Sequence, residues 1–218
     1  MTDSEHAATR RPYVIGVTGN IACGKTTVTR WLAELGAETI DADLVYHSLI
    51  APGSPLVRAI IERFGEGVAA PDGGIDRRAL GAIVFSDPAA LADLDRLTHP
   101  AVIARIQELI GASKAPVVAV DAVKLVESGL DRSCDEVWLV VCMPEQQIER
   151  LMQRNGFSRE EAERRVRAQP DLEAKRSRSD VVIDNSGDLE RTREQVLAAW
   201  DRIQHALSQG TATCGRRE

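Results

Sequence analysis

The stretch GNIACGKT, residues 19–26, limits the fold of this chain more than any other feature of the sequence. It fits the pattern G-x-x-x-x-G-K-[ST], follows the apolar run YVIGVT and precedes the helix-like run VTRWLAELG. The glycines let backbone N–H groups turn toward one anion, and the following helix points its positive N-terminal end at the same place. The sequence therefore predicts a phosphate-binding loop, or P-loop, between a buried strand and a helix.

The side chains of this loop suit a bound nucleotide. The ammonium of Lys25 would reach the phosphates, and the hydroxyl of Thr26 would bind Mg²⁺. Cys23 could be a redox-sensitive thiol with a lowered pKa, or simply a small loop residue. The expected ATP-binding stretch consists of Gly19, Asn20, Ile21, Ala22, Cys23, Gly24, Lys25, Thr26 and Thr27. Such a loop predicts nucleotide binding but does not name a reaction.

Strand-like and helix-like stretches alternate along the chain. Short apolar runs rich in β-branched residues are typical of parallel strands buried on both faces. These runs are 13–19, 116–122, 136–142 and 180–184. Helical patterns lie between them, and the last, over 188–207, begins with Asp188 as a cap. The sequence predicts an α/β fold, a P-loop NTPase-type parallel sheet flanked by helices.

Two segments interrupt this alternation. The segment 43–113 is helical in pattern with Pro/Gly punctuation, and 150–179 is dense in charge. We expect the first to be a helical insertion and the second a mobile lid. The remaining segments would be a nucleotide-binding core over 13–42, 114–149 and 180–207, a disordered leader over 1–12 and a disordered tail over 208–218.

Carboxylates at the predicted strand ends are candidates for chemistry. One strand-like run ends in Asp41 and Asp43, and either could orient or deprotonate an attacking hydroxyl. Asp43 could instead merely cap the helix that follows it. Asp121 ends the run PVVAVD, as in a Walker B element that helps to hold Mg²⁺ through water. These residues favour phosphoryl transfer without proving it.

The composition argues against several classes of protein. A net charge of −6 lacks the basic excess of a nucleic-acid-binding protein, so we expect no nucleic-acid partner. No apolar run approaches the roughly 20 residues that span a bilayer, and the N-terminus lacks a signal-peptide core, so we expect no membrane association. The four cysteines form no CxxC pair and no zinc spacing. This usage is typical of a reducing compartment, and we expect a cytoplasmic protein.

Several motifs together resemble the dephospho-coenzyme A kinase family. They are VTGNIACGKT, IDADLVYHSLIAPG, FGEGVAAPDGGIDRRALGAIVF, LTHP, LMQRNGFSREEAERRVRAQ and SDVVIDNSG. The P-loop is common to many families, whereas the DAD, the D-R-x-x-L-x-x-x-V-F string, the T-H-P and the late D-N are more particular in combination. The resemblance implies that ATP phosphorylates the ribose 3′-hydroxyl of dephospho-coenzyme A, the last step of coenzyme A biosynthesis. It also implies that 43–113 is the acceptor-binding domain.

The resemblance implies roles for individual residues. Asp43 would be the base that activates the 3′-hydroxyl, and Arg154 of the lid would reach the transferring phosphate. Asn185 would lie at the nucleotide base. Arg77 and His99 would belong to the acceptor-binding side.

The chain departs from the family pattern at several places. Within the usual G-G-I-G-S-G-K, this chain has Asn20, Ala22 and Cys23. VKLVE over 123–127 stands in place of Pro-Leu-Leu-Phe-Glu. His47 occupies a position where arginine is frequent, which could weaken an acceptor contact or make it pH-sensitive. Lys124 could be a surface residue or an added phosphate contact, and we include both among the acceptor-binding candidates.

Two alternatives share part of this pattern. Another small-metabolite P-loop kinase, such as a nucleoside kinase, would have the same loop, aspartate and lid, but not the strings of the acceptor domain. A nucleotide switch would need only the loop, and a GTPase would also need N-K-x-D, which does not occur in the sequence. The expected partners are small molecules, ATP and dephospho-coenzyme A. We expect a monomer or a weak homo-oligomer.

Overall fold

A computed structural model of the chain describes residues 11–210. It divides into two compact units. The sheet unit comprises residues 11–40 and 110–210 of the described chain, and the helical unit spans Asp41–Leu109. The disorder expected for 1–10 and 211–218 lies outside the described residues.

Within residues 11–210, the sheet has five strands. They are β1 (Tyr13–Thr18), β2 (Glu38–Asp41), β3 (Val117–Asp121), β4 (Glu136–Val141) and β5 (Val181–Asp184). Their order is β2-β3-β1-β4-β5, and β1 pairs in parallel with β3 and β4, as β4 does with β5. This arrangement confirms the predicted parallel sheet. It also places β1, the strand that leads into the P-loop, in the middle.

Nine α-helices are described between residues 11 and 210. They are α1 (Lys25–Glu34), α2 (Ala42–Leu49), α3 (Pro55–Phe64), α4 (Arg77–Val84), α5 (Pro88–Ala112), α6 (Pro144–Asn155), α7 (Arg159–Arg167), α8 (Leu172–Arg176) and α9 (Leu189–Ser208). Asp188 occupies the N-cap position of α9 as predicted, but its side chain accepts no hydrogen bond from the first turn of the helix. No helix in this part of the chain is both long enough and apolar enough to cross a membrane.

The core of the sheet unit explains why the P-loop has a fixed base. Every residue of β1 is buried, as the continuous apolar run predicts. One core cluster joins Ile15 and Val17 of β1 to Leu32 of α1 and to Val196 and Trp200 of α9. Burying one such aliphatic side chain contributes about 1.5–3 kcal/mol. The strand before the loop and the helix after it are therefore held by the same core.

The helical unit has an apolar core of its own. This core includes Ile50, Leu56, Ile60, Val68 and Leu80, of which Ile60 and Val68 are fully buried. Its helices begin at recognisable caps. The side chain of Ser54 accepts a hydrogen bond at the start of α3, and that of Asp76 accepts two at the start of α4.

Helices α6 and α7 form a small packed pair in the sheet unit. Ile148 and Leu151 of α6 pack with Ala162 of α7, and the side chains of Ile21 and Ala22 in the P-loop pack against this cluster. The expected lid, 150–179, begins inside α6 and covers α7 and α8. Its boundaries and its closure stay predictions.

Both ends of the described chain belong to defined structure. The guanidinium of Arg11 donates hydrogen bonds to the Asp135 carboxylate at 3.0 Å and to the Ser133 carbonyl at 2.7 Å. Helix α9 continues to Ser208, at the start of the expected tail. Arg11 and Ser208 therefore both have described contacts, and the boundaries expected at 12 and 208 stay predictions.

The start of α2 differs from the sequence prediction. Strand β2 ends at Asp41, and Asp41 is also the N-cap of α2, accepting hydrogen bonds from the N–H groups of Asp43 (2.8 Å) and Leu44 (3.1 Å). Asp43 lies in the first turn of the helix, and its side chain is exposed. The interpretation of Asp43 as the helix cap is therefore wrong, as is its placement at the end of the strand.

The identity of this cap can be tested by stability. Asp41→Ala should lower the free energy of unfolding by about 1 kcal/mol, because two N–H groups of α2 lose their acceptor. Asp43→Ala removes only a favourable charge at the helix start and should cost about 0.5 kcal/mol or less. Urea unfolding of both variants measures the difference. A larger loss for Asp43→Ala would contradict the assignment of the cap.

Candidate active site

The P-loop connects β1 to α1 through residues 19–24. Gly24, the N-cap of α1, has a φ of 98°, and a Cβ atom there would overlap the side-chain amide of Asn185. No side chain caps α1, and its first turn contains no acidic residue. The N–H groups at the start of α1 are thus arranged to bind an anion.

Gly24→Ala should therefore damage both stability and nucleotide binding. The left-handed backbone costs about 1–2 kcal/mol for a residue with a Cβ, and the overlap with Asn185 must shift the loop. Gly36→Ala is a matched control, because Gly36 has a similar φ of 104° with nothing within 4 Å of a Cβ. Both variants should lose stability in urea unfolding. Only Gly24→Ala should bind ATP more weakly in titration calorimetry, and unchanged affinity would contradict this account of the loop.

Lys25 and Asp121 are brought together. The ammonium of Lys25, at the start of α1, forms an ion pair with the carboxylate of Asp121, at the end of β3. The hydroxyl of Thr29 also lies 3.4 Å from that carboxylate. The side chains of Lys25 and Asp121 are only 14% and 13% exposed, so their attraction is weakly screened by solvent. A phosphate that binds Lys25 would compete with Asp121 for the ammonium.

Two oxygen-bearing side chains, Thr26 at the start of α1 and Asp121 at the end of β3, suit a hard cation. Thr26 is the second residue of α1 and exposed, and it offers a hydroxyl oxygen next to Lys25. Asp121 offers a carboxylate. Mg²⁺ prefers oxygen ligands and commonly takes only one or two from protein, with water and phosphate supplying the others. The donor types of Thr26 and Asp121 therefore fit Mg²⁺.

Asn185 holds the P-loop from the side of β5. Its side chain is 2% exposed, its Nδ2 donates to the Cys23 carbonyl at 2.8 Å, and its Oδ1 accepts from the Thr192 hydroxyl at 3.1 Å. The side-chain amide is thus bonded at both ends to protein. Its predicted position at the nucleotide base stays a prediction.

Arg150 is a contact that sequence reasoning missed. From α6 it donates one hydrogen bond to the Ala22 carbonyl at 3.1 Å and another to the Asn185 carbonyl at 3.2 Å. Ala22 has a φ of 57°, the only positive φ of a non-glycine residue in the described chain. The guanidinium therefore supports the loop at its strained residue. The only available signal was its place one turn before Arg154 in an arginine-rich stretch.

Arg154 and Gln169 lie in the expected lid. The guanidinium of Arg154 is exposed and donates to the side-chain oxygen of Asn155 at 3.2 Å. Its predicted role at the transferring phosphate stays a prediction. The side-chain oxygen of Gln169 accepts a hydrogen bond from the Ile21 N–H at 3.1 Å. A residue of the expected lid, the last of the motif LMQRNGFSREEAERRVRAQ, therefore touches the P-loop.

The environment of Cys23 contradicts one of its two interpretations. The side chain is 1% exposed, and burial raises the pKa of the thiol to about 11 although Lys25 acts in the opposite direction. A redox-sensitive thiolate would need a lowered pKa and access to solvent. The structure therefore favours a small, buried loop residue.

This burial predicts slow chemistry at Cys23. Iodoacetamide at pH 8 should leave it unmodified in the folded protein and modify it after unfolding in urea, because almost no thiolate is present or accessible. Cys134, which is also fully buried, is the internal control. Peptide mass mapping reads out each site. Rapid modification of Cys23 alone in the folded protein would restore the redox hypothesis.

The helical unit gathers several acceptor-side candidates. Nε2 of His99 lies 3.4 Å from the carboxylate of Asp95, one turn earlier on α5. Tyr46 is near enough to Arg77 and Asp95 to be affected by both charges, and burial raises the pKa of its hydroxyl. The His47 ring lies 5.9 Å from the Tyr46 ring, between centroids. The unit thus places Arg77 and His47 near Tyr46, and His99 contacts Asp95, whose charge also acts on that tyrosine.

Two further acceptor-side candidates are Asp43 and Lys124. Asp43 is one turn before His47 on α2, so the two side chains share a face of the helix. Lys124 is half-buried in the loop after β3. The catalytic role of Asp43 and the phosphate contact of Lys124 both stay predictions.

A P-loop at the end of the middle strand, with its lysine paired to the aspartate that ends the neighbouring strand, defines the class of protein as a P-loop nucleotide-binding protein with the fold of the P-loop kinases. The separate helical unit and the arginine-rich helices after β4 agree with this class. The model of one family, dephospho-CoA kinase, matches residues 13–191. The chain belongs to the dephospho-CoA kinase family.

Individual relatives support the same family assignment. A dephospho-CoA kinase of Symbiobacterium thermophilum is 49% identical over 190 residues, covering 86% of this chain and 80% of the relative. A crystal structure of a Thermus thermophilus protein superimposes with a TM-score of 0.74 at 33% identity, covering 89% of this chain and 99% of that one. A dephospho-CoA kinase structure from Campylobacter jejuni gives 0.63 at 30% identity, with 87% and 96% covered. The resemblance inferred from the motifs is confirmed.

Proposed function

We propose that this chain transfers the γ-phosphoryl group of ATP to the ribose 3′-hydroxyl of dephospho-coenzyme A, giving coenzyme A and ADP. The observation that carries the proposal is the extent of the family match, 13–191, which includes the whole helical unit as well as the P-loop. A nucleoside kinase would share the P-loop but would be expected to differ in the unit that selects the acceptor. We expect the reaction to take place in the cytoplasm.

Nucleotide binding would begin with an exchange of partners. Lys25 would leave Asp121 for the β- and γ-phosphates, while the N–H groups at the start of α1 bind phosphate oxygens. Thr26 and Asp121 would then hold Mg²⁺, Asp121 through water. Bound Mg²⁺ would supply positive charge that offsets the charge on the phosphates.

In the transfer step, Asp43 would orient the 3′-hydroxyl and accept its proton. The hydroxyl oxygen forms the new bond to the γ-phosphorus, and the bond from that phosphorus to the β–γ bridging oxygen breaks, so ADP leaves. Arg154 would stabilise the charge on the transferring group as the lid, 150–179, closes. His47, Arg77, His99 and Lys124 would bind the acceptor.

A coupled assay of ADP release tests the proposal. ATP and Mg²⁺ are supplied with dephospho-coenzyme A, adenosine, AMP or no acceptor in parallel. Turnover above the no-acceptor background is expected only with dephospho-coenzyme A, and mass spectrometry of the product should locate the new phosphate on the 3′-oxygen. Turnover with adenosine or AMP instead would favour a nucleoside or nucleotide kinase. The same reactions with excess EDTA show whether a divalent cation is needed.

A further inference from the structure

Lys175 occupies an unusual place for a lysine. It lies in α8, at the end of the charged segment 150–179, and its side chain is fully buried. Among residues 11–210, no other lysine or arginine is buried. Removing an ammonium group from water costs several kcal/mol unless it is paired and hydrogen-bonded. The contacts of the Lys175 ammonium must therefore offset the cost of its burial.

The ammonium of Lys175 and the hydroxyl of Thr18 share one backbone carbonyl as their hydrogen-bond acceptor. Its ammonium donates to the Val123 carbonyl at 2.6 Å and pairs with the Glu127 carboxylate at 3.4 Å. The hydroxyl of Thr18, the last residue of β1, donates to the same Val123 carbonyl at 3.1 Å. Three segments are thus joined there: the end of β1, the loop after β3, and α8.

This junction lies beside the candidate active site. Val123 follows Asp121 by two residues, and the N–H of the intervening Ala122 donates to the Val17 carbonyl at 3.0 Å. Lys175 is also within electrostatic reach of Lys25: burial lowers the pKa of Lys175, Glu127 opposes this shift, and Lys25 adds to it. Lys175 therefore holds the backbone that carries the partner of Lys25.

We propose that Lys175 is a positioning residue for phosphoryl transfer, which holds the strand end carrying Asp121 and ties it to the last helix of the charged segment. The inference rests on the proposed kinase function, because turnover is one of its readouts. Lys175 touches neither substrate nor reacting atoms in this role. Its effect passes through the Val123 carbonyl to Asp121, and from Asp121 to Lys25.

Such a role affects rate more than acceptor binding. A displaced Asp121 carboxylate misplaces Lys25 and any cation held there, and displacements of about 1 Å can cost about 10²-fold in rate. The acceptor-side candidates Arg77 and His99 belong to the helical unit, so their contacts should persist. The signature is a fall in kcat with little change in KM for dephospho-coenzyme A.

The test replaces Lys175 by methionine, which is unbranched and similar in length but has no charge and no donor. Lys175→Met should lower kcat by about 10-fold or more and leave the acceptor KM within about threefold. In the nucleotide-free protein, amide hydrogen exchange over 121–124 should become faster. Lys175→Arg, which retains a charged donor, should recover part of kcat and part of the protection from exchange. Lys114→Met makes the same change at an exposed lysine before β3 and should alter neither kcat nor the exchange over 121–124.

The outcomes separate this inference from the proposed function. Unchanged kcat in Lys175→Met would overturn the positioning role of Lys175. A fall in kcat with unchanged exchange over 121–124 would overturn it as well. If the methionine variant does not fold, Lys175→Gln, which keeps a donor on a shorter side chain, takes its place with the same criteria. Absence of turnover by the wild-type protein with dephospho-coenzyme A would overturn the proposed function and, with it, the role of Lys175 in phosphoryl transfer. The exchange comparison needs no substrate, so faster exchange over 121–124 in Lys175→Met would still show that Lys175 holds the strand end that carries Asp121.

Discussion

Lys25→Ala should abolish phosphoryl transfer, lowering kcat by about 10³-fold or more, while the protein stays folded. The ammonium is the charge that the P-loop can bring to the β- and γ-phosphates, and Asp121 holds it at the site. Turnover with dephospho-coenzyme A and a melting curve measure the two parts of this expectation. Lys114→Ala, at an exposed lysine, is the control for loss of a positive charge.

The ion pair adds a second expectation for the same site. Lys25→Ala leaves the largely buried Asp121 carboxylate without its lysine partner, so some stability should be lost. Adding Asp121→Asn removes that charge and should restore stability without restoring activity. Near-wild-type turnover in a folded Lys25→Ala protein would contradict the assignment of the P-loop.

Asp43→Asn should lower kcat by about 10²–10⁴-fold with little change in ATP affinity. A ribose hydroxyl is a poor nucleophile at neutral pH, and asparagine can still hydrogen-bond it but cannot accept its proton. Because Asp41 is the cap of α2, the free energy of unfolding should fall by only about 0.5 kcal/mol or less, from the lost charge in the first turn of the helix. Turnover, calorimetric titration with ATP and melting temperature measure the three quantities.

A second aspartate provides the matched control for this variant. Asp76 caps α4, and asparagine is about as good a cap as aspartate, so Asp76→Asn should leave activity and stability unchanged. Full activity in Asp43→Asn would refute its assignment as the base. An equal loss of activity in both variants would show that any change of aspartate in the helical unit is disruptive.

The sheet was predictable because its signal is local. Runs of β-branched residues lose little by being extended and gain by burial on both faces, so the predicted 13–19 and 180–184 became Tyr13–Thr18 and Val181–Asp184. The P-loop was equally readable, since its glycines and lysine are consecutive and their backbone requirements are specific.

The start of α2 shows where local reading fails. The sequence TIDAD offers two aspartates, and either could cap a helix or end a strand. The choice depends on which residue keeps an extended backbone, and Asp41 does, with φ −94° and ψ 113°. Residue types alone do not decide this, because both aspartates have the same capping chemistry.

The sequence by itself determined the fold class, the position of the P-loop and the family. Only the tertiary structure decided which distant side chains hold that loop. Arg150 reaches Ala22 across 128 residues, Asn185 reaches Cys23 across 162, and Lys175 reaches Val123 across 52. Each contact exists because a crossover returns the chain to the same edge of the sheet. Among the many charged residues of 150–179, no local pattern marks the one lysine that folding buries, since burial is decided by the packing of separate segments.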